Sequence, residues 1–294
     1  MTKAFDTVSH QSVLDALSDL GVEDTIYNWV ASYLLDRWHY TKYNNCISCE
    51  RSFNAGVIQG SGLGPVLFVC VIASLVMNCS RNSLIKYADD CYMIVPATSY
   101  ETLPSELQNV KCWSAQRNLQ INCNKSKVMI ITTKKKGTLL HCVNNPNVGL
   151  DVVDKMVILG VHLQNNINFG NHVSDIVKHC NKLFYCLRIM KEYHAPSTTI
   201  RDVFFATIIP RITYAALAWI GFCSEADKQR LYKIIQRGCK LGYIQKIEVN
   251  LEDIIFQRES RLFKYILDNS YHVFHTLMLP EKLSNYSLRA RSHN

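Results

Sequence analysis

Apolar residues recur along this chain at spacings that switch between helix and strand. Val13, Leu14, Leu17 and Leu20 lie on one helical face, and Gly21 is a natural stop. Ile26, Trp29, Val30 and Tyr33 repeat that spacing after an acidic Glu23-Asp24 start. Tyr40 to Phe53 alternates with a shorter period and predicts a hairpin. The uncharged run from Val66 to Met77 reads as a buried helix. Ile, Tyr and Val on both sides of Asp89-Asp90 predict two short strands with the aspartates at the turn between them. Leu107, Val110 and Trp113 mark another helix, closed before strands at Ile121 and at Val128–Thr132. Beyond Phe169 the pattern turns helical: Val173, Ile176, Val177, Cys180, Phe184 and Leu187 make a stripe over several turns. Pro196-Ser197 opens a further helix, and Leu231, Ile234, Ile235 and Gly238 share a face of the next. Such stripes are core packing. From Asn250 to Asn294 the pattern predicts a helix and then a frayed tail.

The alternation of helix and strand followed by helix alone is an α+β arrangement. It divides the chain into residues 1–168, a helical region at 169–249 and a C-terminal stretch at 250–294. At 294 residues, 48% hydrophobic and 19% charged, the chain has the composition of a globular protein with room for two packed regions. Its net charge of +8 suits a polyanionic partner. Lys134-Lys135-Lys136 reads as a solvated loop, with a phosphate contact or an import signal as the functional alternatives. The 12 cysteines are scattered, and Cys46-x-x-Cys49 is the only tight pair. No second pair completes a zinc set, so reduced thiols in an intracellular, nuclear or cytoplasmic protein are the expectation, with no secretion signal. Gly62 to Met77 is too short to span a bilayer, which takes roughly 20 residues, and Val203 to Phe222 is broken by Pro210-Arg211. Both are read as buried helices, with no membrane partner.

Two features carry candidate chemistry. Two like charges at Asp89-Asp90 repel unless a cation sits between them, and Mg²⁺ takes a few carboxylate oxygens together with substrate phosphates. Upstream, Gly56-Val57-Ile58-Gln59-Gly60-Ser61-Gly62-Leu63-Gly64-Pro65 places four glycines and a proline ahead of a helix, where backbone can approach a phosphate. Taken with Lys3-Ala4-Phe5-Asp6 and Tyr87-Ala88-Asp89-Asp90, these segments resemble, in order and spacing, the reverse transcriptase of non-LTR (LINE-type) retrotransposons, in the jockey-like branch. Leu119-Gln120-Ile121-Asn122-Cys123-Asn124-Lys125-Ser126-Lys127-Val128 is similar to that family's fourth palm motif. Val157-Ile158-Leu159-Gly160-Val161 looks like its primer-contacting strand pair. The helix from His172, Ile209–Tyr214 and Leu231–Arg237 resemble the region that follows the palm.

The resemblance implies a right-hand polymerase palm, here incomplete, followed by a helical thumb-like region whose Lys178, Lys182, Arg188 and Lys191 face a template–primer duplex. It implies nucleotidyl transfer by two metal ions, Mg²⁺ with Mn²⁺ as a substitute, using an RNA template, a DNA primer and deoxynucleoside triphosphates. Asp89 would be the main metal ligand and Asp90 a weaker or outer one. Phe5 would be the wall that rejects a ribose 2′-hydroxyl, and Gln59, Gly60 and Ser61 would lie against the nucleotide and templating base. Lys125 would approach the leaving pyrophosphate. In the family a first metal-binding aspartate stands directly before the position of Met1, and Asp6, one residue past Phe5, does not replace it. The expectation is a chain begun at an internal methionine, lacking that strand and the fingers, and catalytically impaired. A non-enzymatic nucleic-acid-binding remnant and, more distantly, a group II intron-type maturase are the alternatives.

Overall fold

The helical stripes and the central hairpin of the sequence are present in the computed structural model, which describes residues 1, 3–132, 149–245 and 249–278. Lys134-Lys135-Lys136 and the expected frayed tail from residue 279 lie outside the described residues. The chain forms two compact units, Met1–Asp154 and Lys155–Asn294.

The first unit opens with a single turn, α1 (Ala4–Thr7), and then α2 (His10–Asp19), whose start is capped by Ser9 Oγ accepting from the Ser12 amide. Gly21, at φ +64°, ends α2 as its position predicts. In α3 (Asp24–Leu34) the outcome differs from the expected stripe. Val30 and Leu34 are buried and Tyr27 and Tyr33 pack against the same core, while Ile26 and Trp29 are exposed, so the buried face is the one carrying Tyr27, Val30 and Leu34. A long hairpin follows: β1 (Arg37–His39) pairs antiparallel with β4 (Arg51–Phe53), and β2 (Lys42–Tyr43) with β3 (Cys46–Ile47) nearer the tip. Asn44 and Asn45 turn it, both at positive φ, a conformation Asn tolerates better than most residues.

The apolar run becomes α4 (Leu63–Ala73), with Leu67, Phe68, Val71 and Ile72 buried against α2. Then β5 (Ser83–Tyr87) and β6 (Asp90–Ile94) pair antiparallel. The turn is Ala88-Asp89, one residue earlier than the sequence pattern suggests, and Asp90 is already the first residue of a strand. Helix α5 (Leu103–Gln116) buries Trp113 and, less expectedly, Glu106. No strand forms at Ile121: Asn122 accepts from the amides of Lys125 and Ser126 and folds the chain into a turn. The strand expected over Val128–Thr132 is reduced to β7 (Lys127–Val128), paired in parallel with β8 (Asp151–Val152).

The second unit begins with a hairpin, β9 (Lys155–Ile158) and β10 (Val161–Gln164), turned by Leu159 and Gly160 at φ +45° and +83°. The long helix α6 (Gly170–Glu192) buries Val173, Ile176, Cys180, Phe184 and Leu187, the stripe seen in the sequence. Against it lie α7 (Ser197–Thr213) and α9 (Glu225–Lys240), with the short α8 (Ala216–Trp219) between them in sequence. Gly238 lets α7 and α9 meet: a methyl group there would come within 2.6 Å of the Phe204 ring. The segment Ser197–Phe222 is long and apolar enough to cross a membrane, yet the chain breaks at Ala215, and Phe204, Ile208, Ile212 and Trp219 are wholly buried in the unit's own core. Finally, α10 (Leu251–Asp268) is fastened by Arg258, which donates to the Thr213 carbonyl at 2.8 Å.

Candidate active site

Three segments far apart in sequence converge in the first unit. The chain around α1 and the glycine-rich loop meet through their backbones: the Val57 amide donates to the Phe5 carbonyl at 2.6 Å, and the Gly56 amide to the Val8 carbonyl at 2.7 Å. Only glycine fits position 56, where φ is +89° and an added Cβ would sit 2.9 Å from the Asp6 carbonyl oxygen. His10 secures the same contact through a ring nitrogen 3.0 Å from the Gly56 carbonyl oxygen. Phe5 is half-buried and stacks on Phe68 of α4 with ring centroids 4.7 Å apart.

The loop then turns into α4. Ser61 donates its hydroxyl to the Ile58 carbonyl at 2.7 Å and accepts from the Gly64 amide at 2.9 Å, so its side chain closes the first turn. At Gly64 an added Cβ would lie 2.5 Å from the Ile58 oxygen, which again demands glycine. Gln59, exposed, donates its amide to Asp6 Oδ1 at 2.8 Å. Because a carboxylate only accepts, this bond fixes the orientation of the Gln59 side chain and leaves its carbonyl oxygen free to accept from a ligand. Asp6 thus holds a predicted ligand-facing residue, a link that a spacing of 53 residues hides in the sequence.

The aspartate turn faces the start of the chain. The Met1 ammonium donates to the Asp89 carbonyl at 3.1 Å and lies 3.8 Å from Asp89 Oδ2. Asp89 is partly exposed at the turn, while Asp90 is exposed and paired with Tyr87 across the hairpin. The structure therefore brings Asp89 beside the opening of α1, and α1 against the loop carrying Gln59, Gly60 and Ser61. Lys125 is in an exposed turn, and its ammonium forms no ion pair with either aspartate among the described residues.

Two ionisable groups, the half-buried Lys86 and the buried Glu106, lie beside the aspartate hairpin, and the sequence patterns flagged neither. Lys86 of β5 donates to the carbonyls of Ile72, Ala73 and Leu75, at the C-terminal end of α4. Burial lowers its pKa, opposed by the nearby Cys91. Glu106 accepts from the amides of Asn78 and Cys79 and from the Asn82 side chain. Burial alone would raise the Glu106 carboxyl, but those donors hold it below its ordinary value. Cys91, opposite Lys86 in the hairpin, has its thiol pushed up by burial.

Two adjacent carboxylates suit a hard divalent cation that takes its other ligands from water and substrate phosphate. No group of three or more His, Cys, Asp or Glu able to hold a metal is gathered among the described residues. Asp89 and Asp90 alone would supply only part of a divalent cation's donor set.

Comparison with known proteins identifies the family. Residues 1–163 match the family described as reverse transcriptase (RNA-dependent DNA polymerase). The chain is 25% identical over 253 residues to the "Probable RNA-directed DNA polymerase from transposon BS" of Drosophila melanogaster, covering 82% of this chain and 28% of that protein. It is 24% identical over 185 residues to the "RNA-directed DNA polymerase from mobile element jockey" of Drosophila funebris, covering 59% of this chain and 20% of that one. A stretch of 79 residues is 38% identical to the "Retrovirus-related Pol polyprotein from type-1 retrotransposable element R2" of Popillia japonica, 25% of this chain and 12% of the relative. The chain spans between 12% and 28% of the length of these three relatives.

Proposed function

Since the chain belongs to the reverse transcriptase family and is a reverse transcriptase domain of the non-LTR retrotransposon type, we propose that its first unit carries polymerase-site residues among which Asp89 is the main metal ligand. The family implies a polymerase palm, an α+β fold, acting on nucleic acid and nucleotides with divalent metal ions. Our reading refines this: an incomplete palm at residues 1–168, a thumb-like helical region at 169–249 and a tail at 250–294. The ion is Mg²⁺, with Mn²⁺ able to replace it, and the substrates are an RNA template, a DNA primer and deoxynucleoside triphosphates. When bound, the metal ions lower the pKa of the primer 3′-hydroxyl and neutralise the triphosphate.

The chain's own residues do the rest by position. Phe5, braced on Phe68, forms the wall beneath the sugar. Gln59, aligned by Asp6, offers an acceptor towards the nucleotide, next to Gly60 and Ser61. Asp90 is an outer ligand. Lys125 protonates or neutralises the leaving pyrophosphate, which requires its exposed turn to close on the substrate. The observation that carries this reading is the convergence in the first unit of the aspartate turn, the opening of α1 and the glycine-rich loop.

A nucleic-acid-binding role without catalysis is the second reading, favoured by the net charge of +8. The protein would act inside the cell, in nucleus or cytoplasm. Mg²⁺-dependent primer extension on an RNA template tests this in the present chain and its Asp89→Ala variant. We expect salt-sensitive duplex binding in both, and any extension by the present chain to be lost in Asp89→Ala. Extension by the present chain that vanishes in Asp89→Ala would show that two aspartates suffice. Extension unaffected by Asp89→Ala would remove Asp89 from the site.

A further inference from the structure

The connection between α4 and β5 has no regular structure, yet side chains hold almost every turn of it. On one side, a single face of α5 reaches it: Trp113 donates to Ser74 Oγ at 3.0 Å, Asn109 to the Val76 carbonyl at 2.8 Å, and Glu106 accepts from the amides of Asn78 and Cys79. On the other, the Lys86 ammonium is surrounded by three carbonyls, Ile72 at 3.0 Å, Ala73 at 3.1 Å and Leu75 at 3.0 Å. An ammonium has three N–H donors, so this arrangement satisfies them all. Ile72 and Ala73 are the last two residues of α4 and Leu75 lies just beyond it, where the helix dipole is negative.

Lys86 is three residues from Asp89 on a hairpin that, among the described residues, has two strands. A two-stranded ribbon has little rigidity of its own. The helix it is tied to begins at the glycine-rich loop, so one side chain couples the aspartate turn to the element that carries the nucleotide loop. We infer that Lys86 is a positioning residue, which sets where the Asp89–Asp90 turn stands relative to α4 by capping that helix. This rests on the metal reading of Asp89 only for its consequence, not for its geometry. The cap itself needs no metal.

Lys86→Met keeps the length of the side chain and its apolar stem but has no donor, and Lys86→Arg keeps charge and donors in a different shape. Amide hydrogen exchange and Mn²⁺ binding, followed by the electron paramagnetic resonance of the free ion, are measured on both variants and on Asp89→Asn. We expect Lys86→Met to raise exchange roughly tenfold or more at the amides of residues 85–91 and 74–78, with the α6 amides unchanged. Lys86→Arg should recover part of that protection. Mn²⁺ affinity should fall about threefold or more in Lys86→Met, as expected for a displaced ligand pair, and further in Asp89→Asn. Unchanged exchange in Lys86→Met, or exchange raised equally throughout the first unit, would overturn the inference. Mn²⁺ binding insensitive to Asp89→Asn would instead overturn the metal reading and leave the exchange result to decide the cap.

Discussion

At the scale of single residues, the glycines of the loop divide by what surrounds them. Gly56 and Gly64 are required by their own protein: a side chain at either would meet a backbone oxygen, at 2.9 Å and 2.5 Å. Gly60 has open space around it but a φ of +82°, so a substitution there pays only in backbone strain. Gly62 has neither obstacle, with φ at −66° in the right-handed region. Alanine at these sites should therefore rank in cost. Gly56→Ala and Gly64→Ala should each lose about 2 kcal/mol or more, Gly60→Ala about 1 kcal/mol, and Gly62→Ala should be neutral or gain about 0.5 kcal/mol. Urea midpoints of the four variants check the order. Equal losses at all four would mean that the loop relaxes around a methyl group and that the close contacts at Gly56 and Gly64 are not maintained. A ligand-facing role explains four glycines as a set, whereas the structure needs two of them for chain packing, and this part of the loop was not legible in the sequence.

At the scale of elements, patterns that depend on one helix face were readable and patterns that depend on partners were not. The stripe on α6 is buried as spaced, because a helix packed along its length shows one face to its neighbours. On α3 the apolar residues wrap around more than one face, and which of them is buried is decided by where α2 crosses it. The order of the three motifs pointed to the aspartate turn and the loop, while the bonds joining them, such as Gln59 to Asp6 and Lys86 to α4, run between distant residues that no local spacing reveals. Glu106 is the clearest case. A glutamate in a helix reads as solvated, yet it has no exposed surface and holds the α4–β5 connection. Glu106→Leu would leave two amides and the Asn82 side chain with fewer acceptors in the interior, and should cost about 3 kcal/mol. Glu106→Gln, which keeps one carbonyl acceptor, should cost less. A urea denaturation series reads both, and a Glu106→Leu loss within error of zero would show that water replaces the carboxylate without penalty.

At the scale of the whole molecule, each unit has its own apolar core, and the second also has a buried group that ties its stability to pH. His172 of α6 is 5% exposed, with its ring edge-on to Trp219 and its Nδ1 accepting from the His162 amide at 3.4 Å. That bond assigns the proton of the neutral ring to Nε2, which is buried with no partner. Burial, with the neighbouring His162 and Arg211, lowers the pKa from 6.5 to about 4, and Asp175 opposes them. In the unfolded chain the ring takes up a proton as pH falls through 6.5, while in the folded unit it stays neutral until about 4. Over that window the unfolded state binds more protons, so acid favours it. The stabilisation is complete above 6.5, declines as pH falls, and about 3 kcal/mol has gone below 4. His162, His179, Arg211 and Asp175 also lie in this cluster, with Asp175 Oδ2 3.9 Å from His162, 3.4 Å from His179 and 3.5 Å from Arg211. These groups are present both in the parent and in a His172→Phe variant, so the difference between the two reports on the buried ring. Melting of the second unit, followed by the fluorescence of Trp219, should shift downwards between pH 7 and pH 4.5 more in the parent than in His172→Phe. Parallel shifts would place the acid sensitivity in the exposed cluster instead, and would mean that the buried ring already binds its proton in the folded unit.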